Sequence, residues 1–138
     1  MNYHFFSNQT DFLKQDLLEI TEFRKWYYGT PISSLDINKI NIGVFNLQGI
    51  EQITHKSSTI DCLPIYIKTN DKIRLFRQLN RENNPDCQEI CRRFISDKND
   101  FLSMSLFYHF SYKIIENNTN EVQYVIKEIF DLINNKWS

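Results

Sequence analysis

Residues 102–137, LSMSLFYHFSYKIIENNTNEVQYVIKEIFDLINNKW, contain the two hydrophobic periods on which the fold class depends. From Leu102 to Ile114, apolar side chains alternate with mainly small or polar ones, the period of a β-strand. A polar turn follows at residues 116–120. From Glu121 to Trp137, the apolar side chains fall on one half of a helical wheel. The stretch therefore predicts a strand followed by an amphipathic helix.

The segment before this stretch predicts a strand and a helical hairpin. Residues 63–67, Leu-Pro-Ile-Tyr-Ile, are typical of a strand, and the proline places it at a strand start or sheet edge. Two helices are expected at Asp71–Glu82 and Asp86–Asp97. They are joined at residues 83–85, Asn-Asn-Pro, because proline suits a first helical turn and not a helix interior.

The first sixty residues complete a predicted order of α-β-β-α-α-β-α. The apolar spacing in Asp11–Tyr28 favours a helix that ends at Gly29, and the β-branched residues of Ile37–Leu47 favour a strand. Residues 48–61 resemble a loop. The order lacks βαβ alternation, so we expect a single α+β domain over residues 1–138. Its small sheet should be mainly antiparallel or mixed, and packed by amphipathic helices.

Composition limits the class of function more than it identifies one. Of 138 residues, 41% are hydrophobic and 14% aromatic, which suits a folded globule, and the net charge of −1 argues against general coating of nucleic acid or membranes. No apolar run approaches a membrane span, and three cysteines, an odd number, favour a reducing compartment, the cytoplasm. The three glycines are isolated, which excludes glycine-rich phosphate loops, and no cofactor is expected.

Two groups of residues contain side chains of the types that bind metals or take part in catalysis. Cys87 and Cys91 are four residues apart beside Ile90 and Phe94, on the apolar face of their helix, so we expect buried, reduced thiols and no metal site. His109 alternates along the predicted strand with three serines, and a small enzyme centred on this histidine is the third hypothesis for function. The serines are Ser103, Ser105 and Ser111.

An arginine stripe provides the second hypothesis. Arg74, Arg77 and Arg81 fall on one side of their predicted helix, with Arg92 and Arg93 on the next. Guanidinium groups make forked contacts with phosphates, so this stripe could serve a small RNA- or phosphate-binding module.

An acidic face on the first predicted helix provides the leading hypothesis. Asp11, Glu19 and Glu22 are expected to point outward, with Trp26 one turn after Glu22. Exposed tryptophan is enriched where binding energy concentrates, and acids steer basic partners. We therefore expect a non-catalytic, protein-binding protein: a small bacterial immunity- or antitoxin-like protein that neutralises a toxin, for example a nuclease, by occluding its active site.

Overall fold

The computed structural model describes residues 9–23, 25–56, 59–107 and 110–137, and it confirms the α+β class. The described residues form five α-helices, one 3-10 helix and two sheets of two strands each. The chain divides into two compact units, residues 1–62 and 63–138, each of which contains one sheet. No helix among these residues is long and apolar enough to cross a membrane. That the chain is a single domain stays a prediction.

The first unit is built on a β-hairpin, so the predicted helix at Asp11–Tyr28 is wrong. Its elements are α1 (Gln9–Leu13), β1 (Leu17–Phe23), β2 (Trp26–Pro31), the 3-10 helix (Ile32–Ser34) and α2 (Leu47–His55). The chain reverses between β1 and β2, where Lys25 has a φ of 68°. The apolar residues of this segment fit a helical period and a strand period, and pairing between the two strands decides the outcome.

The hairpin register determines which side chains share a face. Glu19 pairs with Thr30, Thr21 with Tyr28, and Phe23 with Trp26 in an antiparallel ladder, after a bulge that follows Leu17. Paired residues lie on the same face and neighbours along a strand on opposite faces. One face therefore carries Glu19, Thr21, Trp26, Tyr28 and Thr30. The other carries Ile20, Glu22, Tyr27 and Gly29.

Helix α2 covers the outer edge of β1, so the loop predicted for residues 48–61 is wrong over most of its length. The Ile20 N–H donates to Gln52 Oε1 (2.9 Å), and Gln52 Nε2 donates to the Ile20 carbonyl (2.8 Å). The Lys56 ammonium donates to the carbonyls of Leu17 and Leu18. These side chains satisfy backbone groups that a third strand would otherwise bond.

The predicted strand at Ile37–Leu47 is also wrong. Residues 35–46 form a turn and then a segment outside any helix or sheet. Asp36 and Asn41 close the turn, because the Asp36 N–H donates to Asn41 Oδ1 (3.0 Å) and Asn41 Nδ2 donates to the Asp36 carbonyl (2.9 Å). These residues have a high strand propensity but no partner strand, since side chains of α2 occupy the edge of β1.

The second unit follows the sequence prediction more closely. It contains β3 (Ile65–Lys68), α3 (Asp71–Leu79), α4 (Cys87–Phe107), β4 (Lys113–Glu116) and α5 (Val122–Trp137). The strand after Leu63, the helical hairpin and the last helix are confirmed. Strands β3 and β4 are parallel, with Tyr66 opposite Ile114.

The strand predicted at Leu102–Ile114 is largely wrong, because α4 continues ten residues beyond Asp97. No glycine or proline interrupts the chain between Asp97 and Phe107, so helix propagation costs less than starting a strand. On α4, Phe101 stacks on Tyr66 at 4.7 Å between ring centroids. Loss of hydration around Tyr66 raises the pKa of its phenol.

Candidate protein-binding surface

Two large aromatic side chains lie exposed on one face of the hairpin. Trp26 and Tyr28 are two residues apart on β2, and 71% and 52% of their surfaces are accessible. Tyr27, between them, points to the opposite face, where its ring centroid lies 6.3 Å from that of the buried Phe12 on α1. The hairpin therefore places one tyrosine against α1 and presents Trp26 and Tyr28 outward.

Glu19 is buried, which corrects the prediction that it points outward. Only 8% of its surface is accessible, and Thr30 Oγ1 donates to Glu19 Oε1 at 2.9 Å. Its other oxygen, Oε2, lies near Gly49 in the first turn of α2. Helix N-termini favour negative charge, so this carboxylate suits a structural role inside the first unit.

The predicted acidic face is not a single surface. Glu22 is exposed but lies on the face opposite Trp26, and Asp11 lies on α1 in an ion pair with Lys14 at 3.1 Å. In a helix, Glu22 and Trp26 would lie on the same side, because they are four residues apart. In the hairpin, Glu22 pairs with Tyr27, and Tyr27 and its neighbour Trp26 point to opposite faces. Partner binding by these residues stays a prediction.

Two of the three guanidinium groups in the predicted arginine stripe bond to the protein itself. Arg77 donates to the carbonyls of Asn117 (2.9 Å) and Thr119 (2.6 Å), which joins α3 to the turn before α5. Arg74 lies 4.1 Å from the centroid of the Phe94 ring. Arg81 is exposed.

The two arginines of α4 named with this stripe are also paired. Both Arg92 and Arg93 donate to the carboxylate of Glu89, with N–O distances of 2.7 Å. These two hydrogen bonds lower the pKa of Glu89 to about 2. Binding of RNA or phosphate here stays a prediction, and it would require several of these arginines to exchange existing partners.

Cys87 and Cys91 are both exposed and unoxidised, so the prediction that they are buried is wrong. Cys87 begins α4, and its thiol donates to the Pro85 carbonyl at 3.6 Å. Within the described ranges, no three His, Cys, Asp or Glu residues gather as a metal site would require.

The histidine–serine hypothesis stays a prediction, although the strand on which it relied is not formed at Ser103 and Ser105. His109 lies outside the described residues, and Ser103 and Ser105 belong to helix α4, not to a strand. Ser111 is exposed in the segment that follows. Their alternation with the histidine therefore does not place them on one sheet face.

Tyr28 is the surface residue that the sequence prediction missed. It was assigned to the end of a helix, whereas alternation of Trp26, Tyr28 and Thr30 is the pattern of one strand face. Reading residues 26–31 with a period of two would have paired Tyr28 with Trp26.

No protein-family model matches this sequence, and no curated protein is significantly similar to it.

Proposed function

We propose that this chain is a non-catalytic protein that binds another protein through the exposed part of one hairpin face, centred on Trp26 and Tyr28. The observation that carries the proposal is the 71% exposure of Trp26 on a strand that is hydrogen-bonded to its neighbour. Burial of large aromatic side chains at an interface supplies much of the binding energy of protein complexes.

The hairpin is suited to this role because its backbone is already ordered. Trp26 pairs with Phe23 and Tyr28 with Thr21, and Gln52 and Lys56 hold the far edge of β1. Binding of a partner would therefore require little free energy for ordering the hairpin backbone. The free energy gained by burying the aromatic rings would then contribute to affinity.

The more specific proposal is a bacterial immunity- or antitoxin-like protein that acts in the cytoplasm and covers the active site of a toxin. Small size and an exposed aromatic pair support this class. Glu22, exposed on the opposite face of the same hairpin, would act mainly on the rate of encounter with a basic toxin, since peripheral charges steer association.

The test of partner binding compares two exposed aromatic residues. Tagged chain recovered from its native host identifies the partner, and affinity is then measured for Trp26→Ala and for Tyr124→Ala, which removes an exposed tyrosine of α5. We expect Trp26→Ala to weaken binding by about 2 kcal/mol or more, the range of an interface hot spot, with an unchanged unfolding midpoint. Equal affinity of both variants and the wild type would contradict the proposed surface.

The toxin proposal has a separate test. A toxin gene next to the gene for this chain should encode a protein whose toxicity is suppressed by co-expression of the wild type, and less so by Trp26→Ala. If the partner is not toxic, the proposal of protein binding would stand and the proposal of an immunity protein would be refuted.

A further inference from the structure

The segment from Ile40 to Phe45 has the sequence of a strand but no strand beside it. Ile40, Ile42 and Val44 alternate with Asn41 and Gly43, yet no other described residue bonds to the backbone of residues 40–45. Residues 40–45 contain no helix, turn or bend, and none of them has a positive φ, so the backbone runs extended. An unpaired extended backbone is a template for a further strand.

The two faces of this segment differ in the chemistry of their side chains. Ile40, Ile42 and Val44 are 52%, 76% and 98% accessible. On the opposite face Asn41 and Gly43 are exposed as well, whereas Phe45 is half-buried: a Cβ at Gly43 would overlap the Phe45 ring, and Phe45 Cβ faces Gly49 of α2. Three β-branched residues therefore form an apolar row that the described structure leaves uncovered, and such a row marks an interaction surface.

Both ends of the segment are held in place. The Asp36–Asn41 hydrogen bonds close its first end. At the other end, Asn46 caps α2 by accepting from the Gly49 N–H (2.7 Å) and donates to Thr21 Oγ1 (3.1 Å). Pairing of this segment with a further strand would thus cost little conformational entropy.

We propose that residues 40–45 pair antiparallel with the same segment of a second copy of this chain, about a two-fold axis that passes beside Ile42. In this register Ile42 faces Ile42 of the other copy, Ile40 faces Val44, and Asn41 faces Gly43. The apolar residues meet apolar residues and the small or polar residues meet each other, because the pattern reads alike in both directions. An isologous interface of a dimer requires this self-complementarity.

Charge favours a second copy as the occupant. A pairing of identical segments brings like charges together wherever a charged residue lies near the axis, which destabilises the pair. No charged residue occurs from Ile40 to Ile50, and the nearest one, Lys39, would face Phe45. Cross-strand pairs of β-branched residues then contribute at three successive positions of one face.

The two-fold axis beside Ile42 allows a specific experiment. Ile42→Lys places two lysines opposite each other, and Ile42→Glu two glutamates, so each variant alone should be a monomer by analytical ultracentrifugation. The wild type should sediment at twice the 16.7 kDa mass of one chain. A mixture of the two variants should recover the mass of the dimer, because lysine then faces glutamate.

Ile37→Lys is the matched control. Ile37 is 94% accessible in the preceding turn, outside the paired segment, so this variant should remain a dimer. Circular dichroism of every variant checks that the fold is kept. A monomeric wild type, a dimeric Ile42→Lys variant, an Ile37→Lys variant that also dissociates, or a mixture that stays monomeric would each overturn the proposal.

Discussion

Replacement of Gln52 should destabilise the first unit in a way that depends on the chemistry of the new side chain. The Gln52 amide accepts from the Ile20 N–H and donates to the Ile20 carbonyl, with distances of 2.9 and 2.8 Å. Gln52→Leu keeps much of the side-chain volume but leaves both Ile20 groups without a partner. Each unsatisfied buried group costs about 1–3 kcal/mol, and since this site is only partly buried, we expect about 2 kcal/mol in total.

Gln52→Glu adds a dependence on pH. A carboxylate can accept from the Ile20 N–H, but its second oxygen would face the Ile20 carbonyl without a proton to share. The folded protein therefore favours the protonated carboxyl, so its pKa is higher in the folded state than in the unfolded one. The stability of this variant should approach that of the wild type below about pH 4, the unfolded pKa range of glutamate, and fall as the pH rises.

Amide hydrogen exchange at Ile20, together with urea unfolding followed by circular dichroism, measures both effects. Gln48 on the same helix is exposed, so Gln48→Leu and Gln48→Glu are matched controls that should change stability by less than about 0.5 kcal/mol. If Ile20 exchanged equally fast in the Gln52→Leu and Gln48→Leu variants, the role of the Gln52 amide in holding the β1 edge would be refuted.

Three further comparisons, of two glycine variants, of two arginine variants and of the titration of Glu89, test other contacts. Gly29→Ala should destabilise the hairpin by about 1–3 kcal/mol, because the new Cβ would lie 2.7 Å from a carbonyl oxygen of β1. Gly49→Ala in α2 should cost less, since its Cβ would lie 3.1 Å or more from its neighbours; an equal shift of the two unfolding midpoints would contradict this reasoning. Arg77→Ala should cost about 1.5–3 kcal/mol by removing two charged hydrogen bonds, whereas the exposed Arg81→Ala should be nearly neutral, and denaturant unfolding of both compares them. The pKa of Glu89, about 2, lies below its value in the unfolded chain, so its ion pairs stabilise α4 at neutral pH and are lost as the pH falls toward 2. A carbon NMR titration of Glu89 with a midpoint near the ordinary 4.5 would be inconsistent with those pairs.

The local pattern alone determined the second unit in large part. Helix α5 was predicted almost to the residue because its apolar period is helical throughout, and Asn-Asn-Pro separates α3 from α4 as expected. Even there, the strand predicted from Leu102 is wrong. Helix α4 extends through these residues, because adding a residue to an existing helix is favourable and the alternation of side chains does not prevent it.

The first unit was decided by contacts between distant residues. The same apolar residues of Asp11–Tyr28 fit a helix or a hairpin, and the hairpin prevails where Gln52, more than thirty residues later, bonds to the edge of β1. The candidate surface depends on that choice: strand pairing turns Trp26 and Tyr28 to one face and Glu22 to the other, and Glu19, on the face of Trp26, is buried near the first turn of α2. Residues 40–45 show the opposite case, since their strand pattern is clear in the sequence, but a strand exists only where another backbone accepts its hydrogen bonds.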